Sequence, residues 1–104
     1  MKAYYSKLGL FVDVLYSKVS TNNDRITICS VAVAQYLNYL IDKGFIVFSE
    51  KREYSNAALD LIEQKFGSAI PSFAKEGMVE LMQEVKTYDY EVVGQIINKV
   101  NKSF

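Results

Sequence analysis

Ile26-Thr27-Ile28-Cys29-Ser30-Val31-Ala32-Val33-Ala34 is the stretch on which the fold class turns. Its β-branched residues suit a short strand, and periodicity alone does not separate strand from helix over so few positions. Followed further, Ile26, Cys29, Val33, Tyr36, Leu37, Leu40 and Ile41 repeat with helical spacing, so a helix is expected. Thr21-Asn22-Asn23-Asp24 precedes it as a polar stop, in which Asn23 or Asp24 can accept a hydrogen bond from the first amides. Lys43-Gly44 closes it with a cation and a residue that tolerates positive φ.

Upstream, Tyr4, Leu8, Phe11, Leu15 and Val19 mark one face of a helix from Lys2 to about Ser20, with Tyr5, Val12 and Tyr16 as a second line. Downstream, Phe45-Ile46-Val47-Phe48-Ser49 reads as a β-type run, and Glu50-Lys51-Arg52-Glu53 as a charged tip before Tyr54. Ser55 or Asn56 can cap a third helix that runs through Ala57, Leu59, Leu61, Ile62 and Phe66 to Gly67. Ser72 is the candidate cap of a fourth, with Phe73, Met78, Leu81, Met82 and Val85 as its inner side. Thr87 or Asp89 starts the last, which buries Val92, Val93, Ile96, Ile97 and Val100. The expected fold is mostly α: one compact five-helix domain over residues 1–104, with a short β element, strand or small hairpin, near residues 45–54.

A chain of 104 residues can bury about two-thirds of its unfolded surface in one core. Half its residues are hydrophobic and 23% are charged, a globular usage. Twelve basic and twelve acidic side chains cancel, so no overall field draws the protein to nucleic acid or an anionic membrane. Asp13 interrupts the apolar start before it can serve as a signal-peptide core, and no stretch approaches the roughly 20 residues of a membrane helix. A cytoplasmic protein is expected.

The chain has no histidine and a single cysteine, Cys29, which leaves no Ser-His-Asp arrangement, no Cys-His pair and no thiolate cluster. The five glycines are isolated, so no Gly-rich phosphate loop is present. Neither catalysis, nor a metal, nor a cofactor is expected. Glu76, Glu80 and Glu84 recur every four residues along the fourth helix, and Asp60 and Glu63 stand on the helix before it. These carboxylates form a candidate acidic ridge for a basic partner. Eight tyrosines are many for this length; Tyr88 and Tyr90 frame Asp89 at a helix start, and tyrosine is favoured at interfaces.

The segment from Tyr36 to Phe48 resembles the place in winged-helix regulators where a recognition helix ends at a glycine and a wing strand begins. That resemblance implies DNA binding, with Lys51 and Arg52 at the wing tip. From Ile26 to Ile41, however, the helix that would read the bases carries no Lys or Arg. The leading expectation is a small protein-binding module without chemistry, an inhibitor of the immunity, antitoxin or anti-defence kind from a bacterium or phage. Its partner is another protein, such as a basic toxin or nuclease, met by Asp60, Glu63, Glu76, Glu80, Glu84, Tyr88, Asp89 and Tyr90. Nucleic acid and membrane are not expected as partners, and the winged-helix reading stands second.

Overall fold

The computed structural model describes residues 3–102. Five helices follow one another: α1 (Ala3–Val19), α2 (Arg25–Asp42), α3 (Lys51–Phe66), α4 (Ser72–Glu84) and α5 (Tyr90–Lys102). The expected start of α1 at Lys2 lies outside the described residues.

The decisive stretch is helical. Helix α2 packs against each of the other four helices, and Cys29, Ser30, Ala32, Val33, Ala34, Tyr36, Leu37, Tyr39 and Leu40 are all buried. A helix with neighbours on several sides needs apolar residues around most of its circumference, and that continuity is what mimics a buried strand. Ser30, a polar residue inside the core, gives its hydroxyl proton to the Ile26 carbonyl at 2.9 Å. Tyr36 stacks flat on Phe11, with centroids 4.4 Å apart, and so ties α2 to α1. Leu8, Phe11, Val12 and Leu15 supply the buried face of α1.

Gly44 ends α2 as expected, at φ 77°. Its N–H donates to Ile41 O at 3.1 Å and that of Phe45 to Leu40 O at 2.9 Å, the paired bonds of a Schellman stop. Gly67 closes α3 at φ 69°, donating to Glu63 O. Asp89 caps α5: its carboxylate accepts the Glu91 N–H at 2.9 Å. Asp24 occupies the N-cap position of α2 without a side-chain capping bond. Pro71 precedes α4, so Ser72 is its first residue rather than its cap.

The β element near residues 45–54 requires correction, because no strand is present among the described residues. After the Schellman stop only Ile46 turns into the core, at 5% exposure, while Phe45, Val47 and Phe48 stay about half exposed. A β run needs a neighbour to satisfy its backbone, and among the described residues no strand stands beside this segment. The chain instead makes a single 3-10 turn over Phe48–Glu50. Glu50 reaches back to accept the Val47 N–H at 2.9 Å, the N3 half of a capping box, and α3 starts at once. The expected charged tip is therefore the first turn of α3, and Ser55 is an interior residue of that helix, fully buried. With no strand there is no wing: Lys51 lies buried and Arg52 pairs with Glu80.

Candidate interaction face

Helix α4 leans on α2 and α3 through a narrow edge, with Val79 and Met82 as its buried residues. At 100° per residue Phe73 falls on the far side from Met82, and it is 81% exposed. Leu81 is exposed as well. Both were expected on the inner side, and both face outward. The outer face of α4 therefore carries Phe73, Glu76, Glu80, Leu81 and Glu84, all exposed, around Gly77. The helical wheel contains this result, since nine residues separate Phe73 from Met82, or two and a half turns.

The carboxylates of the ridge divide into two kinds. Lys75 sits between α4 and α3, where its ammonium donates to Asp60 at 2.9 Å and also pairs with Glu63. Glu63 further accepts the Ile70 N–H at 2.8 Å and so fastens the chain entering α4. The Lys75 hydrogen bond, then that of Ile70, holds the Glu63 carboxyl below the usual range. Glu63 and then Asp60 raise the Lys75 ammonium above its usual value. Glu80 accepts from Arg52 at 2.6 Å, with both side chains more than half exposed. Glu76 and Glu84 make no ion pair or side-chain hydrogen bond among the described residues. Across the face, five carboxylates (Asp60, Glu63, Glu76, Glu80, Glu84) stand against two cations (Arg52, Lys75), a local net charge of −3 on a neutral chain.

Tyr88, Asp89 and Tyr90, expected to extend that ridge, are built into a different surface. The Tyr88 hydroxyl donates to Asp42 at 2.9 Å, which raises its pKa, and the Tyr88 ring meets Tyr39 edge-on. Asp89 N–H donates to the Gln35 side chain at 2.9 Å, and the Tyr90 hydroxyl donates to Asn98 at 2.7 Å. Their contacts lie with α2 and α5. Most of the tyrosines serve the core: Tyr36, Tyr39 and Tyr54 are buried, and Tyr4, Tyr5 and Tyr88 pack against it partly buried. Cys29 is buried too, and desolvation pushes its thiol up to about 11, away from the thiolate a nucleophile needs.

Among the described residues no three His, Cys, Asp or Glu side chains gather as a metal site. No helix among the described residues is long and apolar enough to cross a membrane. Comparison with protein-family models, with curated proteins and with solved structures finds no match.

Proposed function

We propose that the chain is a protein-binding module that docks a basic partner on the outer face of α4 and the adjoining edge of α3. Phe73 carries this reading. An exposed acidic helix face is ordinary, but a phenylalanine 81% exposed on the same face as Glu76, Glu80 and Glu84 is a large apolar group that the described residues leave uncovered. With a row of carboxylates running from it along the same face of α4, it has the anatomy of an apolar anchor beside a charged rim. The charge of the face favours encounter with a cationic surface. An inhibitor that neutralises a basic toxin or nuclease acts through such a face, and needs no chemistry of its own.

The test is capture from lysate of the source organism by the tagged wild-type chain, by Phe73→Ala and by Glu76→Lys with Glu84→Lys. The expected outcome is one stoichiometric partner, retained more weakly as salt rises and lost by roughly tenfold or more in both variants. A partner held equally by all three chains, or none at any ionic strength, would discard the proposal.

A further inference from the structure

The connection between α4 and α5 is pinned along one edge. Val85 leaves α4 extended, at φ −70° and ψ 114°. The Asn38 amide of α2 donates to Val85 O at 2.9 Å and to Thr87 O at 3.0 Å. Lys51 of α3 adds a third donor, to Val85 O at 2.7 Å. One turn before Asn38, Gln35 accepts the N–H of Asp89 at 2.9 Å. The groups held against α2 thus belong to alternate residues, 85, 87 and 89, which is the pattern of an extended chain. The same alternation turns the N–H and C=O groups of Lys86 and Tyr88 the other way, and within the described residues these make no hydrogen bond. A rigid backbone edge with its outer donors and acceptors unpaired is a template for a further strand.

A cleft of about 370 Å³ adjoins that edge, lined by Ile41, Phe48 and Val85 together with Asn38, Asp42 and residues 86–88. Phe48 is 54% exposed at its mouth, and the Lys86 ammonium stands 5.8 Å from the centre of its ring. Asp42 accepts the Tyr88 hydroxyl and keeps its negative charge, while Lys86, set over the Phe48 ring, makes no ion pair within the described residues.

We propose that residues 86–88 are a docking edge for an extended peptide of a partner protein. Its main chain pairs with the outer groups of Lys86 and Tyr88, one apolar side chain enters the cleft beside Phe48 and Ile41, and an acidic residue next to it meets Lys86. This site is separate from the outer face of α4 and stands or falls independently of it.

The probe is a displayed library of random dodecapeptides panned on the full chain. Enriched sequences are expected to share an apolar residue with an acidic neighbour. A synthetic consensus peptide should lose about tenfold in affinity when its main chain is N-methylated opposite Lys86, as one hydrogen bond predicts. Lys86→Pro, which removes the donor, and Phe48→Ala, which removes the cleft wall, should weaken it similarly, whereas Phe73→Ala leaves it unchanged. Lys86→Ala, which keeps the edge, should weaken it less than Lys86→Pro. No enrichment, or a consensus peptide indifferent to N-methylation and to Phe48→Ala, would overturn the proposal. The N-methyl peptide decides the matter even if Lys86→Pro fails to fold.

Discussion

The two ends of the α3–α4 contact place a lysine in opposite circumstances. Near the start of α4, Lys75 meets two carboxylates, Asp60 and Glu63, at 29% side-chain exposure, and its pKa is raised. Just past the end of α4, Lys51 is wholly buried and its ammonium meets one backbone carbonyl, that of Val85. Desolvation lowers its pKa, and Lys86 lowers it further. The same side chain thus supplies a satisfied charge at one end of a helix and an undersupplied one at the other. What separates them is the partner, since a carbonyl dipole returns far less than a carboxylate for the water that a cation gives up.

The largest effect that tests this contrast is on Lys51. Its folded pKa is depressed, so between that value and the ordinary lysine value of 10.5 the unfolded chain binds more protons than the folded one. Stability therefore rises with pH across that window. The cost of burying the charge is fully present below the folded pKa. Lys51→Met keeps the volume and removes the charge, and should stabilise the fold by about 1–4 kcal/mol at neutral pH. The advantage should shrink as pH approaches 10.5. Denaturant unfolding of the two chains at neutral and alkaline pH measures both. Equal stability at neutral pH would mean that the amine is better compensated than one carbonyl allows.

Asn38→Leu probes the same end from α2. Thr87 O loses its side-chain donor while Val85 O keeps Lys51. A loss of about 1–3 kcal/mol is expected, the usual cost of stranding a polar group. Combined with Lys51→Met it should cost more than the two separate effects predict, because Val85 O then has no side-chain donor at all. A double-mutant cycle by thermal unfolding gives that coupling.

Neither lysine's situation is legible from spacing. The periodic elements are: Gly44 and Gly67 as helix stops, Asp89 as a cap, and the buried faces of α1, α2 and α5 follow from residue type and a 3.6-residue period, except that Val92, expected in the buried set of α5, is 63% exposed on its outer side. Residues 45–49 misled because five apolar or small residues in a row satisfy a strand's local preferences, while a strand also needs a neighbour that local sequence does not reveal. Lys51 looked like a surface charge because it stands between Glu50 and Arg52, both polar. Its burial is dictated by where α3 begins, and that depends on Glu50 reaching back to Val47. The acidic ridge was half readable. Spacing alone places Glu76, Glu80 and Glu84 on one side of α4, but that Lys75 answers Asp60 and Glu63 requires knowing how α3 and α4 lie together. The outward place of Phe73 is legible too, since nine residues set it on the opposite side of α4 from Met82.

A smaller effect is expected at the Lys75 end. Glu63 has a depressed folded pKa, so its stabilising contribution is present above the ordinary value of 4.5 and is lost as pH falls through the folded value. Lys75→Met removes the main cause of that depression and leaves the Ile70 hydrogen bond. The variant should melt below wild type at neutral pH. The gap should close as pH falls through the folded value of Glu63, below which that carboxyl is protonated in folded and unfolded chains alike. A gap that persists in acid would assign the loss to the packing of the lysine stem instead of its charge.

The smallest effect belongs to Arg52, whose 2.6 Å contact with Glu80 keeps both side chains more than half in water. Short distance alone argues for strength. Exposure argues against it, since water and salt screen both charges and each long side chain gives up rotamer freedom to hold the pair. Exposure should win, so Arg52→Ala is expected to change stability by less than about 1 kcal/mol, and less still at high salt. It also frees Glu80 and makes the outer face of α4 more acidic by one charge, so a basic partner docked there should bind the variant as well as wild type or more tightly. Unchanged melting with tighter capture would separate a charge that holds the fold from one that only moderates the surface. A large drop in melting temperature would instead place Arg52 among the groups that hold α3 against α4.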